Sequence, residues 1–286
     1  MKLVPLLIAF LAIPIGAARA IDPGTAQGVL RAGADQIALT HSFALLHDNA
    51  EKLLDRPAEL RIVLADRDIP QDSLTGIAFL RVSEMAREGQ VRGLLLQLDP
   101  DQRRLIVVTV LNRPADPRQS LLAQTLGATG QGVMKSLVIA NNRVSGEIEH
   151  AESRAGTPDL PQISYAVRFG APLFHEPRVT ADLQGKAAQD SPQARLLREK
   201  ARALAKGDFD AVRKISTQRA NTRDDAFLAQ AGAQGEAFAK EAGAEMEKSF
   251  RKLKRVVVRG ERAVAIFGEG EWMNFAREGG AWRVDD

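Results

Sequence analysis

Cysteine is missing from all 286 residues of this chain, and aromatic and histidine residues are scarce. The chain contains one tyrosine (Tyr165), two tryptophans and four histidines. Without a thiol there is no disulfide, no cysteine nucleophile and no cysteine ligand for zinc. A hydrophobic core alone must therefore hold the fold, and the chain is long enough to form two domains.

Signature motifs of several enzyme classes are missing as well. The sequence contains no G-x-S-x-G, no H-E-x-x-H and no phosphate-binding glycine loop. The glycine-rich "GATGQG" at 127–132 lacks the following Lys-Ser/Thr, so we interpret it as a loop. Neither histidine nor tyrosine follows His175. We therefore predict no catalytic residue, no metal site and no cofactor.

The first twenty residues have the pattern of a secretory signal peptide. Lys2 is followed by an apolar run at 3–15, which is too short to span a bilayer, and then by small residues at Ala18 and Ala20. We expect cleavage after Ala20 and a periplasmic or secreted mature protein. No later run approaches twenty apolar residues, so no transmembrane segment is expected after signal removal.

Positive charge is nearly balanced overall but locally concentrated. The formal net charge is +3, and the signal holds two of the basic residues, so the mature chain is nearly neutral and nucleic acid is not an expected partner. The run "KSFRKLKRVVVRGER" at 248–262 holds seven Lys/Arg and one Glu. It predicts either a solvated, protected sheet edge or a surface for an anionic partner. That surface would consist of Lys248, Arg251, Lys252, Lys254, Arg255, Arg259 and Arg262.

The chain divides into two halves with different patterns. Short β-branched or alternating segments with turn residues fill 21–180 and predict a β-rich domain, either a sandwich or a curled antiparallel sheet. Asn141 and Asn142 favour a hairpin turn. Short helices are predicted at 76–88 and 120–126. The polar stretch 181–192 is interpreted as a linker.

Residues 193–286 predict helices followed by a four-strand meander. Ser191 before Pro192 starts a helix that stops at Gly207, and Asp208 starts the next. Glycines at 232, 235 and 243 predict that the helical region from about Asp224 to Leu253 is broken in two. The fold class is therefore α+β.

Three segments of this half carry a resemblance to a known family. They are "ALAKGDFDAVRKI" at 203–215, "ERAVAIF" at 261–267 and the closing hairpin F-x-x-E-G-G-x-W-R-V at 275–284. With them, residues 193–286 resemble the NTF2-like, cystatin-like α+β domains of exported bacterial proteins. The resemblance implies a conical pocket between helices and sheet, which is catalytic in some members and not in others, and a tendency to pair as dimers.

A set of aromatic side chains is the candidate ligand-binding site in such a pocket. Trp272 and Trp282 flank the glycine turn, which favours a hairpin locked onto helices over a ligand-stacking role. The candidate ligand-binding residues are Phe209, Phe227, Phe238, Phe267, Trp272 and Phe275.

Three hypotheses of function follow. The first is a noncatalytic exported protein that recognises a small apolar ligand or an envelope protein partner. The second is a periplasmic hydrolase or isomerase that pairs His41, His150 or His175 with a carboxylate. A histidine within about 3.2 Å of a carboxylate inside a cleft would favour it. The third is a structural homodimer through the C-terminal sheet.

Overall fold

The computed structural model describes residue 22 and residues 24–76, 80–112, 125–127, 132–151 and 162–286. The predicted signal peptide, most of the predicted helix at 120–126 and most of the glycine-rich loop lie outside these ranges. The chain is mixed α+β, as the sequence predicted, and of the two predicted β-rich arrangements it has the large curled antiparallel sheet. None of the helices in the described ranges is both long and apolar enough to cross a membrane.

Within these ranges, nine strands form the first sheet, in the order β6-β5-β4-β3-β2-β1-β9-β8-β7. The strands are β1 Thr25–Ala32, β2 Asp35–His47, β3 Glu59–Ala65, β4 Gly93–Asp99, β5 Arg104–Leu111, β6 Thr125–Gly127, β7 Val133–Ala140, β8 Arg143–His150 and β9 Ile163–His175. The last residues of the helix predicted at 120–126 thus belong to β6. The predicted turn between β7 and β8 is confirmed: Asn141 and Asn142 both have φ near +53°, at 53° and 54°.

The sheet curls because β2 and β9 are both longer than β1, which lies between them. β1 pairs antiparallel with each of them. Beyond the end of β1, Ala44–Leu46 of β2 pair in parallel with Leu173–His175 of β9. Ser42 lies where the three strands converge, and its hydroxyl is 2.9 Å from both Thr25 O and Gly170 O. β1 therefore acts as a wedge that folds the sheet around it.

The two faces of the curled sheet bury two separate cores. Alternation along the strands places Leu30, Leu39 and Ile62 on the inner face, where the curled sheet encloses them with 0–1% exposure. The opposite face carries Val63 and Leu95, which pack against the helix α1, Leu80–Arg87. A 3-10 turn at Gln71–Leu74 lies beside α1.

Five strands form the second sheet, which carries helices on one face. The strands, in sheet order, are β10 Ala181–Gln184, β11 Arg255–Arg259, β12 Arg262–Ile266, β13 Trp272–Glu278 and β14 Ala281–Val284. The helices are α2 Lys186–Gln189, α3 Pro192–Lys206, α4 Phe209–Ile215, α5 Gln218–Ala231 and α6 Gly235–Phe250. A core that includes Leu197, Phe267 and Phe275 lies between helices and sheet.

Local sequence signals set the ends of these helices. Ser191 and Asp208 accept hydrogen bonds from Ala194 N (3.1 Å) and Ala211 N (3.0 Å), and Gly207 ends α3 with φ at 70°. The predicted break between α5 and α6 lies at Gly232–Gln234. The stretch 181–192, in contrast, is not a free linker. It contains β10, which pairs with β11, and then α2, so the second sheet begins before residue 193.

The two tryptophans lie on opposite faces of the second sheet. Gly279 and Gly280 form the predicted turn, with φ of 59° and 80°. Trp282 packs with the helix-side core, and the Arg277 guanidinium lies 4.8 Å from its ring centroid. Trp272 packs with Val257, Val264 and Ile266 on the other face. The closing hairpin is therefore a structural element and not one shared aromatic site.

Candidate functional site: the cleft between the two sheets

The second sheet turns the face without helices toward the first sheet. On β11 the residues that face this way include Arg255, Val257 and Arg259, because side chains alternate along a strand. Leu53, from the loop after β2, packs against Val257, Val264 and Ile266. The two sheets therefore meet through an apolar contact, beside which lie the charged side chains of β11.

Arg259 is the central cation of this junction. Its Nε donates to Glu51 Oε1 at 2.7 Å, and its Nη1 donates to Pro177 O at 2.8 Å. Asp48 accepts from the same guanidinium. Burial alone would lower the pKa of Arg259, but the hydrogen bonds to Glu51 and Asp48 outweigh it and raise that pKa. Arg255 adds hydrogen bonds to Ala50 O (2.9 Å) and Glu51 O (3.1 Å).

A buried histidine–carboxylate pair lies beside these arginine contacts. His47 Nδ1 is 3.1 Å from Glu176 Oε1, and both side chains are almost fully buried, at 1% and 3% exposure. An ionised carboxylate only accepts hydrogen bonds, so Nδ1 carries the proton of this bond. The other ring nitrogen, Nε2, has no hydrogen-bond partner among the described residues, and Glu51 Oε2 is 3.9 Å away.

Neighbouring donors hold Glu176 ionised. Burial raises the pKa of this carboxyl, but the hydrogen bond from His47, the charge of Arg61 and the Gly76 N–H at 2.9 Å lower it below its ordinary value. Arg61 is completely buried and donates from Nε to Glu59 Oε1 at 2.9 Å. The junction is therefore a dense network of paired charges.

A cleft of about 1070 Å³ opens from this network. Glu51, Glu176 and Arg259 line it, whereas His47 does not. One wall is α1 with Asp72, Thr75 and Gly76, and the other is the start of α5 with β12 and β13. Val257, Val264 and Ala276 supply an apolar strip between these walls.

Two ion pairs connect the walls of the cleft. Arg219 of α5 donates to Glu84 of α1 at 2.7 Å. Arg262 of β12 is 3.2 Å from Asp72 Oδ2 in the 3-10 turn. Arg277 lines the cleft, is exposed and forms no ion pair within the described part of the chain. The cleft thus offers charges of both signs beside an apolar strip.

The predicted ligand-binding aromatics do not lie around one pocket. Phe267 and Phe275 are 6% and 1% exposed in the core under the helices, and only Phe275 also contributes to the cleft lining. Phe227 and Phe238 are 53% and 45% exposed, with ring centroids 6.4 Å apart on α5 and α6. Phe209 is half-buried at the start of α4, and Trp272 lies on the opposite face of the sheet.

The predicted basic surface is divided by the structure. Arg255, Arg259 and Arg262 are held by the chain's own carboxylates and carbonyls at the junction. Lys248 pairs with Glu245 at 2.5 Å. Arg251, Lys252 and Lys254 are exposed. The anionic groups opposite the basic strand are therefore largely those of the N-terminal half itself.

The histidine with a carboxylate partner is one that the enzyme hypothesis did not name. His41 contacts Thr40 Oγ1 (2.8 Å), His175 is exposed, and His150 lies 5.5 Å from the Tyr165 ring, with its pKa lowered by burial. Within the described ranges, no group of three or more potential ligands could hold a metal ion. His47 continues the buried phase of Leu45 on β2, which is the signal that could have indicated it.

Comparison of the chain with family models, with curated proteins and with solved structures found no match. The chemistry of the cleft is therefore the basis for proposing a function.

Proposed function

We propose that this chain is a noncatalytic exported binding protein whose cleft holds a segment of an envelope protein partner. The single observation that carries the proposal is the lining of the cleft, where arginines and carboxylates from both halves surround an apolar strip. A polypeptide segment presents charges of both signs, backbone amides and apolar side chains together. The export part of the proposal rests on the signal-like residues 1–20.

A partner segment fits these walls better than a small apolar ligand does. An apolar ligand calls for a mostly apolar concave site with few polar groups. The inner face of the curled sheet is apolar, but its own side chains, such as Leu30 and Ile37, already fill it. The space between helices and second sheet is similarly filled around Phe275.

We also propose that residues 193–286 form an NTF2-like domain that follows a β-rich domain. Helices followed by a strand meander, with the helices packed on one face, support this assignment. The strand β10 is an addition before the expected boundary. Because the pocket side of such a domain is filled here, the proposed binding face is the opposite one, toward the cleft.

A displayed library of random peptides tests the binding proposal. The mature protein should enrich a set of peptides, and a cleft-filling Ala276→Trp variant should bind a fluorescent copy of the best peptide at least tenfold more weakly. The matched control is Ala229→Trp on the exposed side of α5, which should bind as the unmodified protein does. Equal affinity of the two variants, or no enrichment at all, would refute the proposal.

An enzyme remains the competing proposal because His47 and Glu176 are 3.1 Å apart beside the cleft. Its weakness is access, since the His47 side chain is only 1% exposed. Activated ester, phosphate and peptide substrates provide the test. Turnover that His47→Gln abolishes, in a variant that stays folded by circular dichroism, would replace the binding proposal with this one.

The homodimer through the C-terminal sheet has the least support. One face of that sheet packs on helices, and the other meets Leu53, Glu51 and the cleft. Sedimentation of the unmodified protein and of Trp272→Glu, which leaves Phe227 and Phe238 unchanged, tests this hypothesis. A dimer that Trp272→Glu abolishes would show that the sheet face forms the interface.

A further inference from the structure

We infer that β7 is a pairing edge through which two copies of this chain join their large sheets into one. β7 ends the nine-strand order, and within the described ranges it pairs only with β8. Its free side presents backbone N–H and C=O groups in the arrangement that another extended strand satisfies. This proposal is independent of the cleft.

The outward side chains of β7 are apolar to an extent unusual for a free edge. Val133 is 62% exposed and Val138 is 55% exposed, the two highest values among large apolar side chains of the described residues. The segment 136–140, "SLVIA", has neither charge nor proline. Proteins ordinarily protect an edge with charge, proline, a bulge or a very short strand. On β7 only Lys135 and the irregularity between Met134 and Ser136 do so, and both lie at one end.

The other three edge strands of the two sheets, β6, β10 and β14, are protected in these ways. β6 has only three residues. β10 has four residues, and its Asp182 pairs with Arg255 at 2.7 Å. β14 also has four residues, and Ser216 forms an isolated bridge with Val284. β7, with eight residues, is the one long strand among these four edges.

The pairing of β7 with β8 determines which side chains would meet across a second copy. Ile139 lies opposite the buried Val144 and Met134 opposite the buried Ile148, so these two side chains point to the inner face. Ser136, Val138 and Ala140 consequently point outward.

A two-fold axis through Val138 gives the best antiparallel register. It places the two exposed valines opposite each other, and it pairs Leu137 with Ile139 of the second copy on the inner face. Ser136 then lies opposite Ala140 of the second copy. Lys135, the only charged residue of β7, lies opposite Asn141 of the second copy, so no like charges meet.

The occupant is a second copy because the edge complements itself in this register. Only about five positions of each strand pair, or roughly 17 Å of edge, so the dimer belongs to the weak, small-interface class. We therefore expect a dissociation constant in the micromolar range. The protein should be a monomer at nanomolar concentration and a dimer at roughly 100 µM, a concentration well above that constant.

The absence of cysteine allows a direct test of the register. Three single-cysteine variants of the mature chain, Val138→Cys, Ser136→Cys and Ala140→Cys, would be treated with a short bis-maleimide at that concentration. The Val138 thiols should couple with each other, because opposed Cβ atoms are about 5 Å apart. Ser136→Cys alone and Ala140→Cys alone should not couple, because like positions are about 14 Å apart along the strand. A mixture of these two variants should couple.

A charge-bearing variant supplies the second measurement. Val138→Lys should stay folded, because that side chain is more than half exposed, and light scattering should show a monomer where the unmodified protein is a dimer. The inference is overturned if the unmodified protein is a monomer at roughly 100 µM, or if Val138→Lys dimerises equally. If all three single-cysteine variants couple equally, the register is wrong. If the β7 amides are protected from hydrogen exchange only when another protein is present, that protein, and not a second copy, occupies the edge.

Discussion

Removing the Arg259 guanidinium should be among the most damaging single changes in the molecule. Its side chain is 6% exposed, and its main partner, the Glu51 carboxylate, is 3% exposed. Removing one member of a buried ion pair leaves the other charged, desolvated and unpaired, which costs about 3–5 kcal/mol. The Asp48 carboxylate is 56% exposed and adds little to that figure, because water solvates it after the change.

Arg259→Met keeps much of the side-chain volume, so most of the loss would be electrostatic. In urea denaturation, a loss of about 3–5 kcal/mol moves the midpoint down by more than about 1 M. Arg202→Met, at an exposed arginine of α3, is the control and should change stability by less than about 0.5 kcal/mol. Glu51→Gln combined with Arg259→Met should cost less than the sum of the two single changes, by about 1–3 kcal/mol.

The reasoning fails if Arg259→Met costs less than about 1 kcal/mol, or if the double variant is additive. Either result would mean that the junction does not hold the two sheets together, and that the apolar contacts of Leu53 do.

The remaining predictions concern acid stability and packing. Burial raises the pKa of Glu59, but the charge and hydrogen bond of Arg61 outweigh it, so the pKa is lower in the folded state than its ordinary value of about 4.5. The stability that the Glu59 carboxylate contributes is therefore full above about pH 4.5 and is lost as the pH falls through the lower folded pKa. In Glu59→Gln, the urea midpoint should fall less steeply below about pH 4.5 than in the unmodified protein. Phe275→Ala should cost about 3–5 kcal/mol and Phe227→Ala less than about 0.5, since the first is buried and the second exposed; near-equal losses in thermal unfolding would contradict this. Gly243→Ala, which gains up to about 1 kcal/mol in an isolated helix, should lower the melting temperature, because its Cβ would be 2.6 Å from Ala205 N.

Features set by neighbouring residues could be predicted from the sequence. The hairpin at Asn141 and Asn142, the cap at Ser191 and the corner at Gly207 depend on side chains within four positions of the backbone that they shape. The α+β class and a β-rich first half follow from the same local patterns of alternation and turn residues. The choice of a curled sheet over a sandwich depends on the distant pairing of β2 with β9.

The polar stretch 181–192 predicts a linker, but it contains β10 and α2. β10 is an edge strand with alternate residues exposed, so it needs few apolar side chains. Its pairing with β11 depends on residues more than seventy positions away, which a local pattern does not contain.

The charged junction lay beyond local patterns for the same reason. His47 and Glu176 are 129 positions apart, and Arg259 and Glu51 are 208 apart. The first pair meets because β2 and β9 run side by side only past the end of β1. The residues near His47 in the sequence therefore do not indicate its pairing with Glu176.

The wedge strand β1 also has a consequence for the order of folding. Its Thr25–Ala32 segment pairs with residues 163–170, so β1 gains its second neighbour only after most of the large sheet has been synthesised. Contacts of such sequence separation slow folding, because a long loop must close before they form. The large sheet therefore cannot close around β1 until residue 175 has been synthesised, so its closure comes after the pairing of the consecutive strands β1 to β5.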